Sequence, residues 1–171
     1  MNREEMLSLI KDIGEDQEIR QNFLALLIKT FDLRENRFHP LVFINGDPKI
    51  GENVYIGLLS EVNAKGSEVV IGDNCDIASF VSINVADSHK TCLGLSDNIE
   101  RKPIMIGSNV FIGSHSVVKG GTRIGHHSVV GAGTIVKGVD IPPYSLVIGN
   151  PMVVKEGYYK SQSEEAENED R

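Results

Sequence analysis

From residue 106 the chain keeps a beat of six: Ile106, Ile112, Val118, Ile124, Val130 and Val136. Glycine follows four of these aliphatics. The fifth place of each hexad is small or short, with Val110, Ser116, Thr122, Ser128 and Thr134, then Asp140 as the pattern relaxes. One residue is then lost and the beat resumes at Ile141, Val147 and Val153. Upstream it runs through Ile44, Ile50, Ile56 and Val62, and after a three-residue insertion through Ile71, Ile77 and Ile83. A period of six suits neither an amphipathic helix (3.6) nor a half-buried strand (2). It suits a coil with flat faces, each face one short strand, with glycine permitting the turn between faces. Three faces give a coil of 18 residues, which sets Ile106 under Ile124, Ile112 under Val130 and Val118 under Val136. Successive coils then pair as parallel strands about 4.8 Å apart, and each inward aliphatic contributes roughly 1.5–3 kcal/mol by burial. A narrow interior of this kind favours β-branched residues, in keeping with 6% aromatics and no Trp.

The flanks differ. Residues 1–40 read as a helical cap: Met6, Leu7, Leu9, Ile10 and Ile13 share one side of a short helix. Asp16 is placed to cap a second helix, with Ile19, Phe23, Leu26, Leu27, Thr30 and Phe31 on its inner face. Such helices would cover the strand edges of the first coil. The repeat domain is expected over 41–155, broken by an external loop at about 86–103. An acidic tail over 156–171 reads as solvated and disordered. With 171 residues the chain falls within the range of a single domain. No apolar run approaches the ~20 residues of a membrane span, and no leader opens the chain, so a cytoplasmic protein is expected. Two cysteines, Cys75 and Cys92, are too few for a disulfide framework or a thiolate zinc site.

A net charge of −7 argues against nucleic acid as a partner. The charge is unevenly spread. Residues 40–100 hold three Lys and nine acids, whereas 101–160 hold seven basic residues and two acids. The basic half suits a local anionic ligand.

The segments IGSNVFIGSHSVV, IGHHSVVGAGTIV and DIPPYSLVIGNP make the chain resemble the hexapeptide-repeat acyltransferases, in particular galactoside, maltose and O-antigen O-acetyltransferases. That resemblance implies a mainly β fold, a left-handed parallel β-helix, assembled as a homotrimer with sites between subunits. It also implies an acetyl-CoA-dependent transfer to a sugar or glycan-precursor hydroxyl, without a covalent enzyme intermediate. The family's loop histidine, its general base, corresponds to His89 in Asp87-Ser88-His89. An imidazole titrating near 6.5 can take the hydroxyl proton during attack on a thioester and return it to the thiolate. Candidate acceptor contacts are Asn84, Asp87, Phe111 and His115. By the same resemblance Ser114 and Ala132 would line the pantetheine groove; Lys137 and Lys155, compact cations in the basic half, are expected to meet cofactor phosphates. Phe111 stands where the family usually has Trp, and Met152-Val153 where it often has Arg.

Three other readings stay open from sequence. One keeps the fold and donor but acylates the amine of a nucleotide-linked sugar. Another is a zinc hydratase of the γ-carbonic-anhydrase type, which needs a His-x4-His pair; the five histidines (39, 89, 115, 126 and 127) contain none, and no metal is expected. The last is a non-catalytic scaffold.

Overall fold

The computed structural model describes residues 2–30, 37–38 and 41–162, the side chain of Ile28 excepted. The chain divides into two compact units, Met1–Pro40 and Leu41–Arg171. Phe31 and residues 163–171 of the acidic tail lie outside the described residues. Among those described, no helix is long and apolar enough to cross a membrane.

In the first unit, α1 (Arg3–Glu15) opens with a reciprocal cap that the sequence reading missed. Asn2 Oδ1 accepts the Glu5 N–H at 2.9 Å, and Glu5 Oε2 accepts the Asn2 N–H at 2.9 Å. Asp16 closes α1 and caps α2 (Gln17–Thr30), its Oδ1 accepting the N–H groups of Glu18 (2.8 Å) and Ile19 (3.0 Å).

The second unit is a parallel β-helix of five coils with three flat faces, consistent with the left-handed winding that the resemblance implies. The first coil is β1 (Phe43–Asn45), β2 (Lys49–Ile50) and β3 (Tyr55–Ile56). The second is β4 (Glu61–Asn63), β5 (Val69–Ile71) and β6 (Asp76–Ile77). The third begins with β7 (Ser82–Asn84), leaves the wall through β8 (Ala86–Asp87), α3 (His89–Cys92) and β9 (Glu100–Arg101), and returns as β10 (Ile104–Ile106) and β11 (Phe111–Ile112). The fourth is β12 (Val117–Lys119), β13 (Arg123–Ile124) and β14 (Val129–Val130), and the fifth β15 (Ile135–Val136), β16 (Asp140–Ile141) and β17 (Leu146–Ile148). Face A stacks β1, β4, β7, β12 and β15; face B stacks β2, β5, β10, β13 and β16; face C stacks β3, β6, β11, β14 and β17.

The registers are those the period demands. Ile106 pairs with Ile124, Ile112 with Val130 and Val118 with Val136. After the lost residue, Ile124 pairs with Ile141 and Val130 with Val147. The inward aliphatics from Ile56 to Val147 form the core, and Cys75, 2% exposed, packs within it. Burial pushes the Cys75 thiol pKa up.

Small polar residues at the fifth place are wholly buried, and several join one coil to the next. Ser116 Oγ donates to Gly131 O (3.0 Å) and accepts from Thr134 N (3.3 Å). Thr122 Oγ1 donates to Lys119 O (2.7 Å) and accepts from Gly138 N (3.0 Å). A hydroxyl there satisfies two backbone groups that the corner would otherwise strand.

Two expectations need correction. The glycine after each aliphatic was expected to permit the turn, yet the left-handed backbone falls two residues later and mostly on other residues, among them Phe80 (φ 61°), Asn109 (58°), His115 (60°) and Tyr144 (60°). The glycines serve proximity instead. A Cβ at Gly107 would stand 2.7 Å from His126 N, and one at Gly113 would overlap Ala132 N. Val153 was expected as a further inward rung. Instead the chain reverses at Gly149 (φ 90°), Asn150 and Pro151, joined by a cis peptide, and β18 (Val153–Lys155) pairs antiparallel with β17. Val153 is 55% exposed.

Candidate active site

The break in the repeat is a short antiparallel excursion. β8 pairs with β9 through Ala86–Arg101 and Asp87–Glu100, and α3 sits between them. Its return strand is fixed to the wall by Arg101, whose Nε donates to Lys65 O at 3.0 Å. Gly66 (φ 76°) makes room, since a Cβ there would meet Arg101 Cδ at 2.8 Å. Lys65 and Gly66 lie in the three-residue insertion of the second coil, so that insertion is the seat of the excursion.

Asp87 ends β8 and His89 begins α3. Asp87 Oδ1 stands 2.6 Å from His89 Nδ1 and accepts the His89 N–H at 3.2 Å. Its other oxygen, Oδ2, accepts from Lys119 Nζ at 2.7 Å. The Lys119 ammonium foremost, and then the His89 ring, hold the Asp87 carboxyl well below the usual carboxylate range. An ionised Asp87 draws the imidazole proton to Nδ1 and leaves the Nε2 lone pair free. The His89 side chain is 56% exposed, so that edge of the ring is open to a substrate.

Asn84 ends β7 just before the excursion. Its Oδ1 accepts from Ala86 N (2.8 Å) and Asn63 Nδ2 (3.3 Å), bracing the exit of the loop. Across face A, Asn45 pairs with Asn63, Asn63 with Asn84, and Asn84 with Lys119. With Val118 opposite Val136, Lys137 continues that column. Sequence reasoning missed Lys119. The signal was present, because aligning the hexads puts Lys119 and Lys137 in the place after the aliphatic that Asn45, Asn63 and Asn84 occupy.

Asp87, Lys119, Lys137, Glu100 and Lys102 line a cleft of about 260 Å³ whose floor includes Gly120 and Gly138. Glu100 Oε1 meets Lys102 Nζ at 2.9 Å and its Oε2 meets Lys90 Nζ at 3.4 Å. Lys102 foremost, then Lys90, lowers the Glu100 pKa, and Glu100 raises that of Lys102.

The other sequence candidates lie elsewhere. Ser114 and Ala132 occupy the corner between faces C and A, at the far end of β12 and β15 from Lys119 and Lys137. Their N–H groups make no hydrogen bond among the described residues, and space opens at Gly133, where a Cβ would meet nothing within 4 Å. That small, open corner fits an extended amide-bearing chain laid against backbone. His115, at the same corner, stacks on Phe80 with ring centroids 4.8 Å apart and planes 4° apart. Phe111, 39% exposed, lies on face C beside Asn109, His127 and Tyr159. Lys155 on β18 has its Nζ 5.5 Å from the Tyr158 ring centroid. Within one chain, then, Asn84, Asp87, His89 and Lys137 gather at one edge of face A. Ser114, Ala132 and His115 gather at the other. Among the described residues, no group of three or more His, Cys, Asp or Glu could hold a metal ion.

The wall and its single excursion define a class, the β-helix proteins built on hexapeptide repeats. Residues 49–84 and 103–137 match the family model described as the hexapeptide repeat of succinyl-transferase, two stretches separated by the excursion. The galactoside O-acetyltransferase of Escherichia coli (strain K12) is 41% identical over 108 residues, 59% of this chain and 52% of the relative. The chain thus spans about half the length of that curated relative. A solved galactoside acetyltransferase in complex with coenzyme A is 27% identical, with 94% of this chain and 82% of that chain covered and a TM-score of 0.52. The N-acyltransferase AntD from Bacillus cereus, solved with dTDP and coenzyme A, shares the fold alone: 18% identity, 77% and 76% coverage, TM-score 0.62. The chain is thus similar to hexapeptide-repeat proteins along its wall and to a galactoside O-acetyltransferase over 108 residues.

Proposed function

We propose that this protein is an acetyl-CoA-dependent acetyltransferase acting on a sugar hydroxyl, with His89 as general base. The observation that carries the reading is the Asp87–His89 pair, 2.6 Å between Oδ1 and Nδ1, on the one long excursion from the wall. Similarity to the galactoside O-acetyltransferase supports the substrate class. Acetyl-CoA supplies an activated acyl carbon. His89 Nε2 takes the proton as the acceptor oxygen bonds to that carbon; the carbon–sulfur bond breaks and the proton passes from Nε2 to the departing thiolate. Asp87 fixes the ring and offsets the positive charge that the ring gains.

A groove at Ser114 and Ala132 and a base at the opposite edge of face A are separated by at least a three-residue strand, about 10 Å. One chain does not bring them together. Side-by-side packing of three copies, each lending its excursion to the groove of the next, would supply the missing proximity, so a homotrimer is the assembly proposed. For the chemistry, His89→Ala is expected to lower kcat at least ~100-fold while circular dichroism keeps the wild-type β spectrum. Turnover near that of the wild type would remove His89 from the mechanism.

A further inference from the structure

We infer that the acceptor sugar carries an anionic group, a carboxylate or a phosphate, seated on Lys137 one coil beyond the Asp87–Lys119 pair. This rests on the reading above and extends it from a sugar to an acidic sugar.

Three lysines line the cleft against two carboxylates. Lys119 is engaged by Asp87 at 2.7 Å and Lys102 by Glu100 at 2.9 Å. Lys137 has no ion pair or hydrogen bond through its side chain among the described residues. Its neighbours in the column sharpen the point. In the first three coils that place is Asn, neutral and able to bond along the stack, as Asn63 does to Asn84 at 3.3 Å. In the last two it is Lys, and the strands that carry Lys119 and Lys137 lie about 4.8 Å apart. Two lysines on neighbouring rungs concentrate positive charge at one edge, which is unfavourable unless anions lie between or beside them. Asp87 supplies one anion, and the cleft is left with an excess of one positive charge.

The floor is shaped to admit another. Gly138 (φ 48°) has only Gly120 O, at 3.3 Å, near the place of a Cβ, so the wall beside Lys137 stays open. Lys137 shares its edge of face A with Asp87, and so with the proposed base. In the assembly proposed above a neighbour's groove meets that edge, so the cofactor phosphates first expected at Lys137 are the competing occupant, and titration without acetyl-CoA separates the two. An anion held there keeps the sugar at the edge of the wall from which the excursion that carries His89 departs.

The test uses three probes of one ring form: galactose, galacturonate and galactose 6-phosphate. Equilibrium titration of the full chain, followed by NMR without acetyl-CoA, should show at least ~10-fold tighter binding of one or both acidic sugars than of galactose. The tighter of the two identifies the group as carboxylate or phosphate. Lys137→Gln should erase the preference and Lys137→Arg should keep it. In turnover assays the Gln variant should raise KM for the acidic sugar ~10-fold and leave KM for acetyl-CoA and kcat unchanged. Equal binding of the neutral and acidic probes overturns the inference even if galactose is acetylated, as does a Gln variant that weakens acetyl-CoA and spares the sugar. Binding of an acidic sugar that Lys137→Gln abolishes, with no acetyl transfer, upholds the inference and rejects the transferase reading.

Discussion

A carboxylate two residues before a histidine usually shares its attention with water. Asp87 is held on both sides, by Lys119 at 2.7 Å and by His89 at 2.6 Å, and each contact favours its ionised form. Its folded-state carboxyl therefore titrates below the ordinary value of about 4. A depressed carboxyl stabilises the fold fully above its unfolded pKa, and that contribution drains away as pH falls through the lower folded value. Melting wild type and Asp87→Asn across a pH series should show a Tm difference near pH 7 that narrows below about pH 4. A difference that stays constant down to pH 2 would mean that the ion pair does not hold the excursion. The same variant should lose kcat, because an amide neither steers the imidazole tautomer nor offsets its charge.

At the scale of strands and corners, the glycines after the aliphatics exist for the approach of coils, and their substitution tests that directly. Gly113→Ala would drive a methyl group into the Ala132 backbone. Gly133→Ala meets open space and bears only the strain of φ 69°. Thermal melts should show the first losing roughly 3 kcal/mol or more and the second about 1–2 kcal/mol; equal losses would contradict the distinction. The inward column from Ile56 to Val147 was legible in the sequence because a strict period reports burial directly, as the Val118–Val136 pairing shows. Corner conformation was not, because Phe80, His115 and Tyr144 adopt the left-handed region without any compositional sign. Nor was the reversal into β18, since Val153 keeps the beat by residue type while Gly149 turns the chain. In the site, His89 and Asp87 could be named as neighbours in the chain, but the third member could not. Lys119 reaches Asp87 across 32 residues, a contact made by the stacking of coils.

At the scale of the whole molecule, the separation of the groove at Ser114 and Ala132 from the base at His89 makes assembly a requirement of the proposed chemistry. Light scattering should report a trimer. Two inactive variants, His89→Ala and Ala132→Trp, should recover activity when unfolded and refolded together, since some sites then draw a sound excursion from one copy and a sound groove from another. Statistical mixing gives roughly a quarter of wild-type sites. A mixture as inactive as its parents would place groove and base in the same copy.

The backward course of β18 has a consequence beyond one molecule. A spiral wall that ended on a bare parallel rung would invite the first rung of another copy, and such head-to-tail growth has no natural end. On face C this chain fills that berth with its own β18, set in the opposite direction to any newcomer. High concentration should therefore yield discrete particles and no filaments lengthening along that wall.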